Sequence, residues 1–137
     1  PMVFAGVYCK EGDDYPDYIA PAAKRVSEDP ENNCAIILGG SGQGEAVVAN
    51  RFPNVRAVVF NGPAFAQATA DKQDSGDVVR LSREHNDANI LSLGARFLNE
   101  DEAQEAVKTW LAPPFSGDER HVRRIQKIEE LGRNTGV

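Results

Sequence analysis

The residues best suited to chemistry lie in one heptapeptide, Gly39-Gly40-Ser41-Gly42-Gln43-Gly44-Glu45, which runs from an apolar stretch into a helical pattern. Glycines at this spacing let the backbone approach a ligand, and the amides that open a helix point at negative charge. Ser41 and the loop amides can hold a developing oxyanion while Glu45 takes a proton from the adjoining carbon. Each piece also has a plainer reading. Glycine-rich turns often serve strand-to-helix packing alone, and a carboxylate in a first helical turn is favoured by the helix dipole whatever else it does. The loop fits G-x-G-x-x-G only loosely and lacks the lysine of a P-loop, so it gives little support to nucleotide binding.

Two further groups stand out. In Ser82-Arg83-Glu84-His85-Asn86-Asp87, His85 is one of only 2 histidines. It could cap a helix C-terminus or shuttle a proton near neutral pH, and spacing alone does not decide. In Arg120-His121-Val122-Arg123-Arg124, Arg120 and Arg124 are four apart and share a helix face, so they can grip a phosphate together. The alternative is a solvated face paired with Glu119, Glu129 or Glu130. Arg120, Arg123, Arg124 and Lys127 concentrate positive charge in a chain whose formal charge is -6. That local cluster suits a phosphate monoester, while the overall negative field argues against nucleic acid as a partner.

These groups need elements to hold them. Alternating apolar residues predict a strand over Val3 to Cys9, and helical spacing follows Tyr15-Pro16-Asp17 up to about Ser27. Cys34 to Leu38 is short, apolar and ends on glycines, as a doubly buried parallel strand should, and is expected to be the central one. Glu45 to Arg51 reads as a helix, and Arg56 to Phe60 as a strand closed by Asn61-Gly62-Pro63. Ala64 to Gly76 reads as a long loop or loosely held helix, with a clearer helix from Asp77 to Glu84. A strand at Asn89 to Leu93, a helix at Glu100 to Leu111 stopped by Pro113-Pro114, and a last helix from about Asp118 to Leu131 complete the chain. The alternation predicts an α/β fold: a three-layer, doubly wound, Rossmann-like parallel sheet with helices on both faces. Ligands bind where loops leave the C-terminal strand edges, which selects the loops after Leu38, Phe60 and Leu93.

All 137 residues fit a single domain, and 41% hydrophobic with 26% charged residues is an ordinary globular composition. No apolar run approaches the ~20 residues of a membrane span, so a membrane role is not expected. The N-terminus has no signal-peptide pattern, and a cytoplasmic location is the expectation. Cys9 and Cys34 lack metal-ligand spacing, which argues against a zinc site and a disulfide framework; both are expected to be buried thiols.

Taken in order, DDYPDY (13–18), GGSGQGE (39–45), AN before a basic residue (49–51), SREHNDAN (82–89), LGAR (93–96) and ERHVRRI (119–125) resemble ribose-5-phosphate isomerase B and its galactose-6-phosphate isomerase relatives. The resemblance covers most of the chain. It implies aldose–ketose isomerisation of a sugar phosphate, foremost ribose 5-phosphate to ribulose 5-phosphate, through a cis-enediolate without metal or other cofactor. It also implies a homodimer or dimer of dimers whose active sites are built from both subunits. One branch of the family places a cysteine base where this chain has Gly39, and the other uses a glutamate where this chain has Glu45. By the same resemblance Ser41 and the amides of Gly40, Gly42 and Gly44 hold the enediolate oxygen. His85 helps open the sugar ring, Asn86 binds a hydroxyl, and Tyr15 lines the pocket. Arg96, Arg120 and Arg124 bind the phosphate, the last two reaching into the partner's site.

Two departures accompany the resemblance. The family begins with a strand ending in Asp-His-Ala-Gly and a helix, so roughly the first forty residues of a family member are expected to be missing here. The stretch from about Asn61 to Val79 is longer than the pattern requires and is expected to act as a lid. A second function class therefore stands beside the isomerase: a non-catalytic subunit that kept the glycine loop and arginines and binds a sugar phosphate without turning it over.

Overall fold

The computed structural model describes residues 10–62 and 75–134. The expected strand at Val3 to Cys9, Cys9 itself and most of the loop at Ala64 to Gly76 lie outside the described residues. Within them the chain forms α1 (Pro16–Glu28), β1 (Ala35–Gly39), α2 (Gln43–Ala49), β2 (Ala57–Phe60), α3 (Ser75–Asn86), β3 (Ile90–Gly94), α4 (Glu100–Leu111) and α5 (Glu119–Asn134). Every strand is parallel, and the sheet order is β1-β3-β2. Gly39 pairs with Gly94 at one edge and Ala35 with Ile90 at the other.

Two cores flank the sheet. On one face Ile19, Ala23 and Val26 of α1, spaced three and four apart, meet Ile37, Ala49, Val55 and Ile90. On the other, Val79 of α3 and Ala106 and Trp110 of α4 pack on Leu91 and Leu93. The layers are therefore helix, sheet, helix. Local sequence fixes the helix starts: Pro16 occupies the first turn of α1, where its missing amide costs nothing. Asn99 and Glu102 form a reciprocal capping box at the start of α4.

Among the described strands the central one is β3, not the expected run before Gly39. Ile90, Leu91 and Ser92 are fully buried and Leu93 nearly so, because α1 and α2 cover one face of β3 while α3 and α4 cover the other. Along β1 only Ile37 is buried, and Leu38 is 62% exposed. Its second face is covered only in part: Ile36 packs at the margin of the core formed with α3 and α4, and Leu38 lies at the open end of that face. Cys34, expected to be buried, is an exposed free thiol, since it precedes the first paired residue of β1. No helix among the described residues is long and apolar enough to cross a membrane.

A polar cluster closes the lower edge, where the strands begin. The buried Asn89 amide accepts from the Arg56 backbone at 2.8 Å and donates to the Asn54 carbonyl at 2.8 Å. The Arg56 guanidinium then reaches Glu129 of α5 at 2.8 Å and Asp87 at 3.4 Å. Glu129 also accepts from the Asn54 amide at 3.0 Å. These contacts hold an α5 whose Ile128 and Leu131 are largely exposed. Replacing Glu129 by Gln removes one charge from a pair that is mostly shielded from water. We expect a loss of about 2 kcal/mol in urea unfolding, the range of a hydrogen bond to a charged group. A loss as small as that of Lys24→Ala, which breaks an exposed helical pair, would contradict this.

Candidate active site

The loop after β1 is built around close backbone approach. Gly42 has φ 74°, a left-handed conformation that a Cβ would strain. Its carbonyl accepts from Ser92 of the central strand at 2.7 Å, which satisfies a hydroxyl buried in an apolar layer. The amides of Ala95 and Arg96 donate to the carbonyls of Gly39 and Gly40 at 2.8 and 3.0 Å. Ser41 sits at the turn, its hydroxyl accepting from the Gln43 amide at 3.2 Å. The loop is thus pinned to β3 and to the segment beyond it.

Glu45, in the first turn of α2, is only 8% exposed. Its carboxylate occupies the space where a side chain of residue 39 would begin, so any Cβ there would overlap it. The Tyr15 hydroxyl similarly fills the space beside Gly44, and the Arg96 guanidinium that beside Gly40. Tyr15 is delivered by a tight turn: Asp13 accepts from the Lys10 amide at 2.7 Å and from the Tyr18 hydroxyl at 2.6 Å. The Tyr18 bond, followed by the Lys10 bond, holds the Asp13 carboxyl below its ordinary value. Glu45, Ser41, the loop glycines, Tyr15 and Arg96 therefore share the upper edge, where the strands end.

His85, Asn86, Arg120 and Arg124 do not join them. His85 and Asn86 end α3 just before β3 begins, at the lower edge. A five-residue strand separates the two edges by roughly 15 Å, so His85 and Glu45 of one chain cannot contact the same atoms of a sugar. His85 instead stacks on His121 of α5, ring centroids 4.3 Å apart and planes 15° apart. Arg120 and Arg124 project beside this pair as exposed side chains. No carboxylate pairs with either among the described residues; of the partners considered for them, Glu129 is held by Arg56. Asn86 is likewise exposed.

His121 is buried, and its Nε2 has no hydrogen-bond partner among the described residues; Asp118 stands 4.0 Å away. Burial pushes this imidazole below its ordinary value, His85, Arg120 and Arg124 add to the shift, and Asp118 opposes it. Sequence reasoning passed over His121, and also Ser92 and Asn61. The Asn61 side-chain oxygen is buried without a partner among the described residues and crowds Gly94. A serine inside an apolar strand was the one available sign of the Ser92 anchor.

A parallel α/β domain with a buried carboxylate on a glycine loop and the Arg96 guanidinium against that loop has the makings of an enzyme for small phosphorylated substrates. The family model for Ribose/Galactose Isomerase matches residues 2–128, and the chain belongs to that family. Ribose-5-phosphate isomerase B of Mycolicibacterium paratuberculosis is 36% identical over 121 residues, which are 88% of this chain and 67% of that protein. Its counterpart in Escherichia coli K12 is 34% identical over 130 residues, 95% of this chain and 77% of that one. The chain thus spans about two thirds of the length of the mycobacterial relatives it matches. Among solved structures, Mycoplasma genitalium ribose-5-phosphate isomerase B with bound ribulose-5-phosphate superposes with a TM-score of 0.79 at 29% identity, covering 94% of this chain and 76% of that one. The Trypanosoma cruzi type B enzyme gives 0.82 at 34% identity, covering 98% and 78%.

Two outcomes are expected. Gly39→Ala should displace the Glu45 carboxylate and, with Glu45 as the expected base, depress kcat roughly 10²-fold, the scale of a misplaced catalytic group; steady-state kinetics of the two proteins checks this. The second concerns acid. Unfolded, His121 takes up its proton near the ordinary 6.5, but folded only at lower pH. Its contribution to stability is therefore complete above 6.5 and is lost as pH falls through the folded value. His121→Phe should flatten that part of the acid limb in urea unfolding measured on both sides of 6.5.

Proposed function

We propose that this chain is an aldose–ketose isomerase of phosphorylated sugars, with ribose 5-phosphate and ribulose 5-phosphate as its substrate pair. The observation that carries this reading is the Glu45 carboxylate, lodged against the bare Gly39 beside a hydroxyl and a run of backbone amides. In the furanose form of the substrate, His85 passes protons so that O1 loses one, the ring oxygen gains one, the C1–O4 bond breaks and the aldehyde forms. Glu45 then removes the proton from C2, the hydroxyl proton on O2 passes to O1 across the cis-enediolate, and Glu45 returns the carbon-bound proton to C1, leaving a C2 ketone and a C1 hydroxyl. Ser41 and the amides of Gly40, Gly42 and Gly44 stabilise the negative charge that builds on the enediolate oxygens. Tyr15 closes one side of the pocket and Asn86 binds a sugar hydroxyl. Arg96, Arg120 and Arg124 hold the phosphate, whose binding energy orients the reacting carbons.

The two edges of one sheet cannot serve one sugar, so the working unit is a homodimer. The upper edge of one subunit, with Glu45, Ser41, Tyr15 and Arg96, faces the lower edge of its partner, with His85, Asn86, Arg120 and Arg124. The support is the separation of the two groups across β3 and the exposed apolar residues of α5, which a second copy would cover.

Incubating the protein with ribose 5-phosphate should yield ribulose 5-phosphate. Glu45→Gln should lower kcat by about 10²-fold or more, the usual share of a positioned base. Binding of a phosphorylated sugar acid without turnover would favour the non-catalytic alternative. Shared sites have a separate test. Glu45→Gln and His85→Ala subunits, each inactive alone, should regain about a quarter of normal activity when mixed and allowed to exchange, because each mixed dimer holds one intact site. No recovery on verified subunit exchange would place both groups in one subunit's site.

A further inference from the structure

We infer that His121 is a positioning residue for His85: its buried ring is the fixed face that holds the His85 imidazole in the plane needed to open the sugar ring. This rests on the isomerase reading above. The His85 ring is only half-buried in the last turn of α3, and no hydrogen bond to the ring is found among the described residues. What restrains it is the parallel stack on His121. Ring nitrogens lie in the ring planes, so two rings 15° from parallel cannot bond each other. The pair is a stacked platform, not a proton relay.

The platform is firmly set. His121 is 5% exposed, and its amide donates to the Asp118 carbonyl at 2.9 Å in the first turn of α5. The Ser116 amide donates to the Glu84 carbonyl at 3.0 Å, which ties the approach to α5 directly to the residue before His85. On the α3 side, Arg83 bonds the Ala88 carbonyl at 2.6 Å and lies 5.0 Å over the Trp110 ring. Both rings therefore grow from anchored backbone. A phenyl ring would reproduce this face without a basic nitrogen. That separates positioning from proton transfer.

The substrate pair separates the steps. Ribose 5-phosphate is mostly a closed ring, whereas ribulose 5-phosphate, with its O5 esterified, stays open. Forward turnover therefore needs ring opening, while exchange of the C1 proton of ribulose 5-phosphate with deuterated water needs only Glu45. His121→Ala should lower forward kcat at least about tenfold and leave KM and the exchange rate within about twofold, a modest part of what misplacement of a catalytic group costs. His121→Phe should restore forward turnover to within about threefold. His85→Ala should show the same split as His121→Ala, and Glu45→Gln should lose both activities. In proton NMR spectra the His85 Hε1 signal should carry a ring-current shift in the wild type and the Phe variant, absent in the Ala variant.

Equal turnover in His121→Ala and the wild type would overturn the inference, as would equal loss in the Ala and Phe variants or a parallel fall in exchange. Absence of the ring-current shift in the folded wild type overturns it without any variant having to fold. A wild type that catalyses neither forward turnover nor exchange overturns the isomerase reading, and this inference with it.

Discussion

Parallel strands send every strand-to-helix loop to one edge of a sheet and every helix-to-strand loop to the other, and most features of this molecule follow from that. The register Ala35 to Ile90 and Gly39 to Gly94 aligns the edges of β1 and β3. The short strands make the division sharp. The acidic glycine loop stands on one rim, and the histidines and the exposed arginines of α5 stand on the other. In the proposed mechanism, which uses both rims, two copies are needed, so assembly would be part of the chemistry and not an addition to it.

The central strand also sets the polar order of the interior. Ser92, buried among leucine and isoleucine, would be costly without a partner, and it finds one in the Gly42 carbonyl. A loop carbonyl bonded to a core strand moves little, so the left-handed turn at Gly42 keeps its shape and Glu45 keeps its place. At the other rim Asn89 plays the corresponding part, bridging the backbones at Arg56 and Asn54. The two buried amide and hydroxyl groups thus secure the two rims from within the same strand segment.

Much of this was legible in the amino-acid order. The helical pattern from Glu100 to Leu111, the proline at the start of α1 and the apolar run before Gly39 gave helices and strands close to those found. The centrality of β3 was not legible, because Ala35–Gly39 and Ile90–Gly94 are similarly apolar and only packing decides which is covered twice. The exposure of Cys34 was not legible either, because the strand's pairing begins one residue later, at Ala35. Spacing placed Arg120 and Arg124 on one face but could not show that Arg56, distant in sequence, would take Glu129 from them. Nor could it show that the chain's two described histidine rings stack, since α3 and α5 meet only in three dimensions. The resemblance suggested which residues belong to a site, and geometry assigned them to rims.

The contact between Gly39 and the Glu45 carboxylate has a further consequence, for descent. A side chain at 39 and a carboxylate arriving from 45 claim the same small volume. A lineage with a cysteine at the first position gains nothing by acquiring the glutamate while the cysteine remains, and one that loses the cysteine first has no base until the glutamate arrives. Each single step passes through an impaired ancestor. With Glu45 as the proposed base, the two ways of abstracting the proton are therefore separated by a valley that gradual change crosses poorly, and a chain committed to one of them tends to keep it.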